Sequence, residues 1–440
     1  MSGARTRRVL IVSPHFPPVS SADMQRVRML LPFLGENGWD ADVLAVSPDQ
    51  VHAPRDPWSV PAVPGDVAVH RVDALPRGFS KIPGLGTLGL RALRALATAG
   101  DRLLAKGGYD LVYFSTTVFE VHVLGPRWRR RFGVPFVMDY QDAWVSNYYR
   151  DHPHAPVPGG RIKYALASAL HRWMEPRVLR ACAGITSVSP DYPRQIAKRY
   201  PDLPALPALV QGFPGAAADF ARLPVLQDGE ALFDPRDGRV HWVYVGRGGA
   251  DMATALRGLF RALRDHGDRT LLQTLTLHCI GTSYAAAGSG RLSIMPIAAE
   301  FGLQHLIAES PDRINFTRAM WCLKHADALV VPGSDDPAYT ASKIYPYLLA
   351  RRPLLAIFHA ASSVVDLIER VGGASCISFT GSTTEPALAR DIAAHWLANQ
   401  AWRRVVPLDI DAFHPYSDAG CAAELTAFFE RCLAAAGIKA

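Results

Sequence analysis

Four clusters of residues in this chain have types and spacing suited to chemistry. The most specific is Tyr339-Thr340-Ala341-Ser342-Lys343-Ile344-Tyr345-Pro346-Tyr347, which follows an apolar strand pattern and a loop. Ser342 is placed to cap a helix, so Lys343 and the free amides of the first turn would face one anion. A lysine gives a compact charge for a diphosphate; the plain alternative is a surface lysine on a capped helix. The second cluster, Val243-Tyr244-Val245-Gly246-Arg247-Gly248-Gly249, ends a strand in a glycine-rich turn carrying one arginine. Gly246 lets the backbone approach a phosphate while Arg247 offers a forked set of donors.

The third, Asp139-Tyr140-Gln141-Asp142-Ala143-Trp144, delivers two carboxylates three residues apart to a strand end. Either could take a proton from an acceptor hydroxyl or hold a sugar hydroxyl. Equally, Asp142 could cap a turn while Trp144 fills a hole. The fourth is the loop after the first strand, Ser13 to Asp23, with Ser13, His15, Ser20 and Ser21 near a helix start. Such a loop presents backbone N–H groups and the positive end of a helix dipole to an anion or a hydroxyl. It carries neither G-x-G-x-x-G nor G-x-x-x-x-G-K-[ST], so a dinucleotide or P-loop reading is unsupported. Asp335-Asp336 lacks metal-triad spacing, and the six cysteines form no C-x-x-C pair. No metal and no cofactor is expected, and free thiols in apolar runs fit a reducing cytoplasm.

These clusters need elements to hold them. Apolar runs at Val9–Ser13, Ala41–Val46, Leu111–Phe114, Pro135–Asp139 and Gly184–Val188 read as strands separated by helical patterns such as Ala22–Gly35, Leu85–Lys106 and Ile162–Arg180. A Pro/Gly/Ala-rich interval, Pro201–Leu223, reads as a linker. The alternation then resumes with strands at Val240–Val245, Thr274–Ile280, Ile314–Phe316, Ala328–Val331, Leu354–Ile357 and Cys376–Phe379. The expected fold class is α/β: two doubly wound, Rossmann-like domains facing a cleft, each with a parallel sheet covered on both sides. The domains are placed at 1–212 and 213–412, with a terminal helix within 413–440 packing back on the first. In such sheets a ligand lies beyond the carboxyl ends of the strands. That is where all four clusters fall.

The 440 residues carry a formal charge of +7, unevenly shared. Residues 1–215 hold 26 Lys and Arg against 17 Asp and Glu, so the first half alone is basic. Such a field favours an anionic partner. Two features supply it: Arg91, Arg94 and Arg102 on the long amphipathic helix, and Arg127, Arg129, Arg130 and Arg131 around Trp128. Both suit an anionic membrane surface, against the plainer reading of a solvated face. Nucleic acid is not expected as a partner, because the basic positions are not interleaved with stacking aromatics. The apolar start is too short for a signal-peptide core, and Arg351, Arg352 and Pro353 interrupt the most apolar long window. The expected location is cytoplasmic, peripheral on the inner face of a membrane.

The clusters taken together resemble a GT-B-fold glycosyltransferase of the family 4 type, glycosyl transferases group 1. The resemblance rests on the opening strand with its Phe16-Pro17-Pro18 loop, Asp139 to Trp144, the Ile185 to Ser189 strand, Gly246-Arg247, Ile280-Gly281, and Ser342-Lys343 through Arg352-Pro353. It implies transfer of a sugar from a nucleotide diphosphate donor to an acceptor glycan or lipid-linked intermediate of a surface polysaccharide. It gives Arg247 and Lys343 to the diphosphate as catalytic groups with Asp142. Gly246, Gly281, Tyr339 and Ser342 would stand on the donor side; Ser13, His15, Ser20, Ser21, Asp139 and Asp142 on the acceptor side. Many members of that family carry two glutamates eight residues apart where this chain has Ala338 and Pro346, and neither acid is present. A nucleotide-sugar epimerase, or a non-catalytic binder of sugar nucleotides on the same fold, is the alternative.

Overall fold

A computed structural model of the chain describes residues 6–81, 86–146, 160–225, 231–283, 288–337 and 343–438. The chain divides into two compact units, Met1–Pro214 with Asp418–Ala440, and Gly215–Ser417.

In the first unit the strands are β1 (Arg7–Val12), β2 (Trp39–Val46), β3 (Ala68–Val72), β4 (Leu111–Ser115), β5 (Phe136–Tyr140), β6 (Gly184–Ser187) and β7 (Ala208–Val210). They form one parallel sheet in the order β3-β2-β1-β4-β5-β6-β7. Every residue of β4, β5 and β6 is buried, which is why these strands read as unbroken apolar runs rather than alternating ones. One face is covered by helices Met24–Leu34 and Asp418–Ala435, where Phe429 meets the rings of Trp39 and Tyr113 at centroid distances of 5.2 Å. Helices Leu88–Ala105, Leu124–Phe132 and Arg161–Leu179 supply residues to the core on the other face. Trp128 fills the notch left by Gly100, since a Cβ at that glycine would fall 2.2 Å from the indole. A tryptophan so placed is wholly buried and donates its N–H to Asp101 at 3.0 Å.

The second unit holds β8 (Val240–Val245), β9 (Leu275–Ile280), β10 (Ile307–Ser310), β11 (Ala328–Pro332), β12 (Leu354–His359) and β13 (Ser375–Phe379). Its parallel sheet runs β10-β9-β8-β11-β12-β13. Both sheets therefore reverse strand order once, between β1 and β4 and between β8 and β11. The loops after those four strands flank the two switch points, the favoured ligand positions of this architecture.

Three expectations need correction. The third strand of the second unit is Ile307–Ser310, not Ile314–Phe316: Asn315 instead caps helix Phe316–His325 by accepting the Arg318 N–H at 2.8 Å. The supposed linker at Pro201–Leu223 contains edge strand β7. The basic face is also different from its sequence reading. Arg91 is buried and donates to the carbonyl of Leu75 at 2.6 Å, while Arg127 and Arg131 share the carboxylate of Asp101 at 2.6 and 2.5 Å. Arg129 donates to the carbonyl of Ala181, so only Arg94, Arg102 and Arg130 of that set are exposed without a described partner. No described helix is long and apolar enough to cross a membrane.

Candidate active site

The first switch point is built around a buried carboxylate. Asp23 precedes helix Met24–Leu34 and is 1% exposed. Both its oxygens lie 2.9 Å from His15 Nδ1. It also accepts from Ser21 Oγ at 2.5 Å, Thr116 Oγ1 at 2.9 Å and the Thr117 N–H at 3.2 Å. Burial alone would raise its pKa. The hydrogen bond and charge of His15, with the hydroxyls of Ser21 and Thr116, outweigh burial and hold it at about 2. An anionic Asp23 requires the proton of a neutral imidazole to sit on Nδ1. The lone pair of His15 is then on Nε2, which has no described partner, and the side chain is 18% exposed. Ser13, at the end of β1, is buried and turns the loop by donating to the carbonyl of His15 at 2.8 Å. Ser20 is half-buried, with its amide on the Pro54 carbonyl.

The two carboxylates after β5 separate sharply. Asp142 is exposed, with one oxygen on the Ala143 N–H at 2.7 Å and the charge free to meet solvent or a ligand. Asp139, expected on the acceptor side, is instead a structural anion. It is buried, 2.9 Å from the guanidinium of Arg26, and accepts from Ser115 and Thr186 at 2.8 Å and from Gln141 at 2.7 Å. Three hydrogen bonds and the adjacent guanidinium engage this carboxylate, and at 1% exposure it is closed to a substrate. Arg26, itself fully buried, also donates to the carbonyls of Gln211 and Gly212 at 2.7 and 3.3 Å. Nothing local to either residue signals this pairing across the fold.

At the second switch point, β8 ends at Val245 and helix Ile344–Leu349 begins beside it. Tyr347 fixes that approach: its hydroxyl accepts the Val245 N–H at 2.6 Å and donates to the Val245 carbonyl at 3.0 Å. Lys343, at the head of the helix, is thereby brought against the turn after β8. Its ammonium lies 6.0 Å from the centre of the Tyr244 ring, and a Cβ on Gly246 would come within 2.5 Å of Nζ. A side chain at Gly246 would thus have to displace the lysine ammonium and the Tyr244 hydroxyl, an effect separate from the expected approach of a phosphate. Burial, then the positive charges of Arg247 and Arg313, lower the Lys343 pKa to about 8. Among the described residues no carboxylate pairs with it.

Arg247 is oriented by a fork to Asp251, with Nη1 and Nη2 at 2.8 and 2.6 Å from its two oxygens. That bond, against burial and helped by Ser334, holds Asp251 at about 2. The Tyr244 hydroxyl locks the same turn by donating to the Arg247 carbonyl at 2.6 Å. Gly281 follows β9 with φ at +71° and its N–H on the Ser310 carbonyl at 2.8 Å, and a Cβ there would lie 3.8 Å from the Cα of Arg313. Tyr339 and Ser342 lie outside the described residues, as does Ala338; Pro346 is inside the helix that Lys343 heads.

Lys343, Arg247 and His15 were expected from the sequence, but the partners that surround them were not. The Asp251 partner was visible as an i,i+4 acid after Arg247. Tyr347 and Arg313 had no local signal, because their partners are distant in the chain. The result is two pieces of chemistry. One is a group of cations on the second unit in which Arg247 is held by Asp251 while the Lys343 ammonium has no described carboxylate. The other is a polarised imidazole with exposed carboxylate Asp142 on the first.

Residues 24–207 match the family described as the glycosyl transferase 4-like domain. No curated protein matches the sequence. The structure is similar to that of HepE from Anabaena in complex with UDP and glucose, at 13% identity and a TM-score of 0.52, covering 97% of this chain and all of that one. A glycosyltransferase from Rickettsia africae aligns over 98% of this chain and 99% of its own, at 11% identity and a TM-score of 0.54. The UDP-forming α,α-trehalose-phosphate synthase of Burkholderia xenovorans in complex with glucose-6-phosphate aligns over 97% and 99%, at 11% identity and a TM-score of 0.56. What these structures share with the chain is the fold.

Proposed function

We propose that the chain, whose residues 24–207 match the glycosyl transferase 4-like domain and whose fold is shared with a known glycosyltransferase, transfers a sugar from a nucleotide diphosphate-sugar to a lipid-linked or cell-surface glycan acceptor. The observation that carries the donor reading is Lys343: a largely buried ammonium beside two guanidiniums, with no described carboxylate to neutralise it. Holding such a charge is costly unless an anion arrives, and a diphosphate with its two negative groups is the ligand that repays it.

Transfer breaks the bond between the anomeric carbon and the diphosphate oxygen, and the electron pair leaves on the diphosphate. Lys343 and Arg247 are fixed before that charge develops, so they stabilise the departing group without reorganising. This reading needs no metal for the same purpose and no cofactor. The acceptor hydroxyl forms the new bond to the anomeric carbon and must lose its proton. His15 Nε2, whose lone pair is left outward by the contact of Nδ1 with Asp23, is the group best placed to receive it. Asp142 remains on the acceptor side as an exposed carboxylate for a sugar hydroxyl. Enzymes with such acceptors work where sugar nucleotides are made, so the location proposed is the cytoplasmic face of a membrane.

A panel of nucleotide diphosphate-sugars, free nucleoside diphosphates and nucleoside monophosphates, screened by thermal stabilisation, tests the donor reading. Stabilisation by at least one diphosphate and by none of the monophosphates is expected. Equal response to both, or to neither, would remove the diphosphate from the proposal.

A further inference from the structure

We propose that the outward face of helix Arg161–Leu179 docks on the interface of an anionic bilayer. The inner side of this helix is spent on the core, where Met174, Val178 and Leu179 are buried. Its outer side carries Leu166, Leu170 and Trp173, which are 69%, 37% and 56% exposed. Spaced four and three residues apart, they share an arc of about 60° at 100° per residue, and Arg177 continues the same stripe one turn on. Scattered exposed apolar residues are ordinary, but three large ones in one line on one helix are not.

The charges beside the stripe select the partner. Arg177 lies with its Cζ 4.2 Å above the Trp173 ring and donates to the Trp173 carbonyl at 2.5 Å. Arg180, at the end of the helix, is also exposed. The helix has one acid, Glu175, and it is buried: Tyr140, Arg199 and Tyr200 donate to it at 3.2, 3.0 and 2.7 Å. No carboxylate of this helix therefore faces outward. A tryptophan and leucines with arginines at their edge match the boundary of acyl chains and anionic headgroups, where the rings sit at headgroup level and the guanidiniums reach phosphates. A second copy of the chain is a poorer occupant. A two-fold contact would bring the arginines of one stripe to the other, and the helix has no outward acid to pair with them.

This surface replaces the arginine-rich helices that the sequence pointed to, whose charges are largely spent within the protein. Its use by an enzyme with a lipid-linked acceptor rests on the proposed function; the binding itself does not. Flotation of the full chain with phosphatidylcholine vesicles, with and without phosphatidylglycerol, tests it. The wild type is expected to float with the anionic vesicles only, and less at high salt. Leu166→Glu with Trp173→Glu should cut the bound fraction at least roughly tenfold, given the loss of apolar insertion and added repulsion. Arg94→Glu with Arg102→Glu should stay within about twofold of wild type, since those residues lie off the stripe. Retained circular dichroism, and an unchanged thermal response to nucleoside diphosphates, keep folding and the donor reading separate from the result. No flotation of the wild type, or flotation of the double variant equal to wild type, would overturn the proposal. So would a wild-type dimer in sedimentation that Trp173→Glu dissociates without changing flotation.

Discussion

Replacing Lys343 by methionine should make the empty protein more stable and the liganded protein less so. The side chain keeps its length and apolar stem but loses a charge that the fold shelters from water. Its pKa is lowered from 10.5 to about 8, so at pH 7 the native state carries a proton that costs about 3 kcal/mol relative to the unfolded chain. Because the unfolded state holds that proton more tightly, the penalty is complete below pH 8. It fades as pH climbs from 8 towards 10.5. The advantage of Lys343→Met should therefore shrink from about 3 kcal/mol at pH 7 to about 2 at pH 9. Urea denaturation at the two pH values reads this directly. Calorimetry supplies the other half: at pH 8 about half the amines are neutral, so binding a nucleoside diphosphate should draw about half a proton from the buffer. The variant should bind at least tenfold more weakly and take up none. If Lys343→Met proved destabilising at pH 7 while leaving diphosphate affinity unchanged, the ammonium would have an internal partner and the reasoning would fail.

Gly246→Ala should act through the same amine, because its Cβ would come within 2.5 Å of Lys343 Nζ and 2.7 Å of the Tyr244 hydroxyl; diphosphate affinity should fall about tenfold for a stability cost near 1 kcal/mol, as measured by titration and melting. Asp23→Asn removes a carboxylate held at about 2 against an ordinary 3.8, which is worth about 2 kcal/mol at neutral pH. Since the folded value is the lower one, the wild type should lose this contribution as pH falls from 4 through 2, and the variant should show no such loss in its urea midpoint. His15→Gln should keep diphosphate binding and reduce kcat for transfer by about a hundredfold or more; transfer within threefold of wild type would return the proton to another base. Arg26→Met strands Asp139 without its cation and should cost about 3–5 kcal/mol, part of which Asp139→Asn in the same chain should restore.

How much of this was legible depended on how local the cause was. Strands buried on both faces, such as β4 and β11, announce themselves as apolar runs. Edge strands do not: β7 is three residues among prolines, and β10 carries Glu309, whose carboxylate is occupied by Thr282 Oγ1 and the backbone of Ser293 and Met295 at 2.7 to 2.8 Å. Lys343 and Arg247 could be picked out because a strand end with glycine and a helix start are short-range patterns. Asp139 could not be told from Asp142, since the difference is Arg26, more than a hundred positions away and hidden inside an amphipathic helix. A buried charge on an apolar strand and another on an apolar helix face are each odd alone. Only the fold pairs them.

The last helix of the chain also dictates an order of events. Trp39, Tyr113 and the β1 face that they line belong to a core that Phe428, Phe429 and Leu433 complete. While the chain is being synthesised, more than two hundred residues separate β4 from those side chains, so the emerging first sheet waits with one face uncovered. The second unit, continuous from Gly215 to Ser417, can close its own core in the meantime. A protein synthesised in this order is most exposed to sticky misassembly late, just before Phe428, Phe429 and Leu433 emerge. Supplying the 418–440 segment as a separate peptide to a shortened chain is then a way to watch the first core form on demand.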